Sequence, residues 1–351
     1  MALFRSSSGL DVILNRPDST LWERLRLNPL TTIARYLNNV FPVSIPTSRL
    51  KASDGDMDGA VTVVCISDTH NSQPHLPPGD ILIHAGDLTA SGTKEELRCA
   101  LDWVKDQPHR FKVVIAGNHD LCLDENFPNS QIGRMVPEAE DGLDENKQGF
   151  VGREEEEPLD WSDIIYLNRT STTLKLVNHH NREIRIYGNP YTPQHGTWAF
   201  QYPRSLQPDP WANAVPLVTD ILVTHAPPKG HMDDPRGNWG CEFLLQEVWR
   251  TRPRLHVFGH VHCGHGMETV AFDTLQGAYE DVVLREAAAK KGGGMRAWVK
   301  GWMALGRCLG AWVGVWWNSG RRGRGETLLV NAAVVGGIKD RLVREAIVVE
   351  M

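Results

Sequence analysis

The chain has no CxxC pair: its six cysteines, Cys65, Cys99, Cys122, Cys241, Cys263 and Cys308, are scattered, several of them inside apolar runs. That argues against a zinc ribbon built on thiolates and against a disulfide scaffold, and it leads us to expect reduced thiols in an intracellular, cytoplasmic setting. Nor is there an excess of positive charge, since 37 Lys and Arg stand against 43 Asp and Glu, for a net charge of -6. Such a balance gives no general attraction to nucleic acid or to an anionic membrane, so no nucleic-acid partner is expected, and a polyanionic one would need a local basic patch. After Arg5 come Ser6, Ser7, Ser8 and Asp11 instead of an uninterrupted apolar run, which speaks against a secretory signal. No repeat period connects one part of the chain with another.

What is present describes a globular protein able to bury a large core, with 41% hydrophobic and 23% charged residues. Residues 1–58 read as an N-terminal extension: Thr20-Leu-Trp-Glu23 forms a capping box for a short helix interrupted at Pro29, and 53–59 is a polar link. From residue 59 onward short apolar runs recur, at Val61 to Ile66, Ile81 to His84, Val113 to Ala116, Ile221 to Thr224 and Leu255 to Phe258, which predict buried strands. Thr93 caps a helical pattern through Leu97, Leu101 and Val104, and Cys241 to Trp249 gives another. Thr173 to Val177 and Glu183 to Tyr187 predict a hairpin. Alternating strands and helices indicate an α/β fold. Two segments break the order: an acidic insertion at 137–160, read as a solvated loop, and a Trp-rich insertion at 275–325.

Every one of the five predicted strands is followed at once by metal-binding residue types: Asp68-Thr-His70, Gly86-Asp87, Gly117-Asn118-His119-Asp120, His225, and Gly259-His260-Val-His262. In α/β sheets ligands gather at the carboxyl ends of strands, so these donors would converge on one edge. Taken singly, a histidine on an apolar strand is a core residue and an Asp after Gly is a turn; five in strand-terminal order point to a metal site. Imidazole with carboxylate and carbonyl oxygen suits Mn, Fe or Zn. The remaining histidines read more plainly: His84 as a strand residue, His179 and His180 as turn residues, His75, His109, His195, His231 and His265 as surface or core, with His195 and His231 close enough in sequence to touch substrate.

In this order the motifs resemble those of the calcineurin-like metallophosphoesterases, over nearly all of 61–333. A narrower resemblance is to the metallophosphoesterase-domain-containing branch related to the 239FB proteins, through Ile66-Ser-Asp-Thr-His70, Tyr187-Gly-Asn-Pro-Tyr-Thr-Pro193, Trp198-Ala-Phe200, Asp220 to Pro228 and Asn331-Ala-Ala333. The resemblance implies an α/β/β/α sandwich and two divalent metal ions. One would be held by Asp68, His70 and His262 and the other by Asn118, His225 and His260, with Asp87 bridging and a shared hydroxide as nucleophile. It implies that His119 protonates the leaving group, with Asp120 orienting His119 or a ligand histidine. Many relatives place a supporting carboxylate where this chain has Ala90. Protein phosphatases of the family carry arginines where it has Leu88 and Leu121, which disfavours a protein substrate. The expected substrate is a small phosphate ester, a nucleotide among the candidates, cleaved as a diester. The alternative is a weakly active regulatory or membrane-peripheral protein that keeps the fold.

The stretch 297–317 holds five tryptophans among apolar residues, but Lys300, Arg307 and several glycines argue against a true span. Two readings stand: a helix covering the protein's own core or a partner's, and a helix lying in a membrane surface.

Overall fold

The structure is a computed structural model that describes residues 20–41, 60–128, 132, 158–204, 208–233, 239–318, 320–321, 325–336 and 340–351. The polar link 53–59 and the acidic stretch 137–157 lie outside the described residues.

In chain order the first elements are α1 (Leu21–Leu27), α2 (Pro29–Val40), β1 (Thr62–Ile66), β2 (Ile81–Ala85), α3 (Lys94–Lys105), β3 (Phe111–Ile115), β4 (Ile164–Tyr166), β5 (Thr170–Leu176) and β6 (Arg182–Asn189). Then come β7 (Thr192–Pro193), β8 (Gln201–Tyr202), β9 (Ile221–Thr224), α4 (Glu242–Thr251), β10 (Leu255–Phe258), β11 (Gly266–Ala271), α5 (Thr274–Ala288) and α6 (Gly294–Trp317). The chain finishes with β12 (Glu326–Asn331), β13 (Val335–Gly336), β14 (Arg341–Leu342) and β15 (Ile347–Glu350).

One sheet has the order β15-β1-β2-β3-β4, the other β11-β12-β10-β9-β6-β5. Strands β1 to β4 are parallel, as are β6, β9, β10 and β12. Within these two sheets the outer strands β15, β11 and β5 run antiparallel to their neighbours. The continuous apolar runs are explained by burial on both faces. Val63, Cys65, Ile81, Ile83 and Val113 look inward and meet Ile186, Ile221, Val223 and Val257 of the second sheet. Val64, Ile66, Leu82 and Val114 look outward, under Leu97, Leu101 and Val104 of α3. Leu222, Phe258 and Leu329 do the same under Leu244 and Val248 of α4. The result is the expected α/β/β/α sandwich, each fully buried aliphatic side chain contributing about 1.5–3 kcal/mol.

The local signals act as read. Thr20 and Glu23 make the reciprocal capping box, and Thr93 accepts from the Glu96 amide. The thiol of Cys241 takes the same N-cap role for α4. The hairpin closes with Leu176 opposite Arg182. Pro29 does not break one helix but starts a second, where its missing N–H costs nothing.

The two segments read as an extension and an insertion meet each other. Leu30, Ala34 and Leu37 of α2 pack with Leu275, Tyr279 and Val282 of α5 and with Ala304, Leu305 and Cys308 of α6. The buried carboxylate of Glu286 accepts from the amides of Leu30 (3.3 Å) and Thr31 (2.8 Å), an acid at the positive end of α2. Arg321 is likewise committed, to Asp273 and Asn38.

Candidate metal centre

The parallel strands end on one side of the molecule, and the residues that follow β1, β2, β3, β9 and β10 meet there. The two sheets are tied at this edge: the Ser67 amide donates to Ala332 O (2.9 Å) and the Val334 amide to Ser67 O (3.0 Å). The Asn331 side chain donates to Val261 O at 2.9 Å, so the phrase Asn331-Ala-Ala333 is a clasp for the loop carrying His260 and His262.

Nine side chains were expected here. Asp68, His70 and His262 form one group whose potential ligand atoms lie within 4.8 Å of one another, and Asp87, His225 and His260 form another. Between them, Asp87 Oδ2 lies 3.7 Å from His70 Nε2 and 3.2 Å from His225 Nε2. Asn118 joins the second group, its Oδ1 3.1 Å from His225 Nε2. His262 Nε2 lies 3.2 Å from Asp68 Oδ1. Asp68, Asp87, Asn118 and His225 are buried.

His119 groups with His70 and Asp87. Its amide donates to Asp87 Oδ1 (2.7 Å) and its Nδ1 lies 2.9 Å from the Ala90 carbonyl. The backbone of residue 90 thus supplies the acceptor that a side-chain carboxylate would give in many relatives. The indole of Trp198 stacks on the His119 ring, centroids 3.9 Å apart. Asp120 is used differently from the orienting role expected of it: its oxygens accept from the amides of Gly117 (2.7 Å), Thr89 (2.9 Å) and Leu88 (3.3 Å) and from the Thr89 hydroxyl. It pins the β2 and β3 loops together, which places Asp87 beside Asn118.

The backbone is strained where the ligands sit. Asp68 (φ 53°), His70 (φ 42°), Asp87 (φ 55°) and His260 (φ 65°) all occupy the left-handed region, at a cost on the order of 1–3 kcal/mol each. Two glycines allow the close approach. A Cβ at Gly117 would stand 2.2 Å from Asp87 Oδ1, and one at Gly259 would stand 2.0 Å from Asp68 Oδ2. Gly259→Ala is therefore expected to displace the Asp68 carboxylate and lower metal content while the sandwich stays folded. Calorimetric metal titration beside circular dichroism checks this, and unaltered affinity would contradict it.

Electrostatics sort the histidines. Burial pushes His70 and His260 down to about 3, so both are neutral imidazoles with lone pairs available. Burial works against charge on His225 too, but Asp87 beside it prevails and raises it to about 9. For Asp87 burial opposes ionisation, and His225, His119 and His70 outweigh it, holding the carboxyl well below its usual range. Asp120 rises to about 6, chiefly through burial and then through Asp87.

Divalent cations fit this donor set on a specific observation. Both ring nitrogens of His70, and Nε2 of His260, are buried without a hydrogen-bond partner among the described residues. A buried polar atom left unsatisfied costs about 1–3 kcal/mol, and a cation beside Asp68 and Asp87 would take the lone pair of one His70 nitrogen and that of His260 Nε2, the other His70 nitrogen carrying the N–H.

Three neighbours were not anticipated as site residues. Asp340 lies 3.9 Å from His70 Nδ1 and 3.7 Å from His262 Nδ1, and no motif surrounds it in the sequence. Trp198 was part of a familiar phrase without a role. His84 lies beneath the site, its Nε2 3.0 Å from the Thr69 hydroxyl. His231 is a core residue, buried between Glu268 and Glu280, 3.1 Å from each.

The sequence pattern described as "Calcineurin-like phosphoesterase" matches residues 61–264. A protein named "Probable rhamnogalacturonate lyase C" from Emericella nidulans is 41% identical over 349 residues, 97% of this chain and 29% of that protein. "Metallophosphoesterase domain-containing protein 1" of Homo sapiens is 36% identical over 60% of this chain and 63% of its own length. A UPF0046 protein of Caenorhabditis elegans is 38% identical over 71% of this chain and 77% of its own. The chain thus spans less than two thirds of the first two of these relatives.

Proposed function

The chain belongs to the calcineurin-like phosphoesterase family, and on that premise we propose that it is a metal-dependent hydrolase of phosphate esters, acting on a diester in a small molecule or nucleotide. The observation that carries the reading is the set of unpartnered, buried, neutral nitrogens of His70 and His260 beside the carboxylates of Asp68 and Asp87. Asp68, His70 and His262 would hold one ion, and Asn118, His225 and His260 the other. Asp87, between the groups, would be the ligand the two sites share. Mn, Fe or Zn ions held there would supply Lewis-acid chemistry, activating water as the nucleophile and neutralising charge on the phosphoryl oxygens.

The chain's own residues do the rest. The Ala90 carbonyl and the Trp198 ring fix the His119 imidazole, and with Nδ1 turned to Ala90 its other nitrogen can deliver a proton to a departing alkoxide. Diester preference follows from charge. A phosphate monoester carries about -1.5 to -2 at neutral pH, whereas a diester carries a single charge. Leu88 and Leu121, where protein phosphatases of the family place arginines, are buried and offer no extra cation. The lyase name of the Emericella relative belongs to a protein of which this chain spans 29%, and no feature of the site argues for that chemistry.

The test is a purified-protein assay with added Mn across phosphomonoesters, phosphodiesters and cyclic nucleotides. Metal-dependent turnover, with higher kcat/KM on diesters, is the expected result. Faster monoester turnover would reverse the substrate reading, and no turnover on any would favour a regulatory protein.

A further inference from the structure

Helix α6 is covered on one side and bare on the other. Gly301, Ala304, Leu305 and Cys308 form a buried line that faces α2 and α5. At 3.6 residues per turn, Met295, Val299, Trp302, Leu309, Val313 and Trp317 fall on the opposite side, and all are exposed, Trp302 by 59% and Trp317 by 78%. Arg296, Lys300 and Arg307 run along the helix between the two lines, and the helix holds no Asp or Glu. Arg307 is bound to Asp281. Among the described residues flanking the helix, Lys290 is committed to Leu27 O and Asn28 and Arg321 to Asp273, while Lys291 adds an exposed cation just before the helix. Arg296 and Lys300 therefore form the basic edge of an apolar, tryptophan-rich face, on a chain whose net charge is -6.

We propose that this outer face of α6 lies in the surface of a membrane rich in anionic lipid. An exposed apolar face of this extent marks an interaction site. Tryptophan favours the water–lipid boundary, and a basic edge beside an apolar stripe is the pattern of a helix lying in the plane of an anionic surface. Insertion across the bilayer is ruled out by packing, since the inner line of α6 is already covered by protein, and no helix among the described residues is long and apolar enough to cross. A second copy is a poorer occupant. A two-fold contact would set the same patch against itself, and α6 offers no acid to meet Arg296 and Lys300.

The purified 351-residue chain is floated with vesicles of phosphatidylcholine alone and of phosphatidylcholine mixed with phosphatidylserine. The parent is expected to co-float with the mixed vesicles, and less so in high salt, which screens the basic edge. The double variant Trp302→Asp, Val313→Asp should lose co-flotation, because it charges the apolar face without touching the buried line. The variant Arg296→Glu, Lys300→Glu should erase the preference for the serine lipid. Circular dichroism and phosphoesterase turnover without vesicles serve as folding controls, since neither pair lies at the metal centre. A parent that stays at the bottom with both lipids, or an Asp variant that floats as well as the parent, overturns the proposal. So does a lipid-free dimer that Trp302→Asp dissociates, which would assign the face to a second copy.

Discussion

Asp87→Asn is expected to lose metal from both groups of ligands at once, and with it nearly all turnover. The Asp87 carboxylate lies within 4 Å of His70 on one side and of His225 on the other, at 3.7 and 3.2 Å, and its Oδ1 also holds the His119 amide at 2.7 Å. Replacing one oxygen by NH2 leaves the shape almost unchanged but removes the negative charge that two neighbouring dications would share. Even an outer hydrogen-bond partner of a metal ligand is worth ~10–100-fold in metal affinity, so loss of the shared ligand should exceed that for both ions. Elemental analysis of the purified variant checks it. If the variant binds as much metal as the parent, Asp87 is not the shared ligand.

The second large effect is expected from His119→Ala. Its Nδ1 is turned to the Ala90 carbonyl and its ring is packed on Trp198, a fixed orientation suited to proton delivery. Removing a general acid costs ~10²–10⁴-fold in turnover. The loss should be full for an alkyl ester, whose leaving oxygen needs a proton, and small for a nitrophenyl ester, whose leaving group departs as a stable anion. Metal content should stay at the parent level. His119 also falls within ligand distance of Asp87 and His70, so equal losses on both esters together with depleted metal would make it a ligand and not an acid.

Much of the site was legible because its logic is local. A buried parallel strand advertises itself as an apolar run, and the residue after it is where the backbone turns at the sheet edge. Asp68, Asp87, Asn118, His225 and His260 could be located from that rule without coordinates, and the structure brings them together. Asp340 could not. It reaches His70 and His262 from a segment with no strand-terminal pattern. Asp120 lay beside the site in sequence, but only its four hydrogen bonds reveal that it fastens the β2 and β3 loops to each other.

The fold divides in the same way. β12 and β15 carry apolar runs in the sequence, and what they pair with is set by partners far away: β15 returns to lie antiparallel on β1, with Val63 opposite Val349. The Trp-rich segment left two readings open because a helix that is apolar all round does not declare which side is covered. Packing decided which side is covered, through Leu30 and Ala34 of the N-terminal helix and the Glu286 cap on that helix.

By itself, then, the sequence determined the α/β layering, the strand ends and the ligand types, since burial on both faces and backbone turning are written into consecutive residues. Tertiary structure alone decided that Asp340 stands beside His70 and His262, that a backbone carbonyl at Ala90 orients His119, and which line of α6 remains exposed. Each of these depends on distances between segments, and such distances arise only when the two sheets and the helical layer pack.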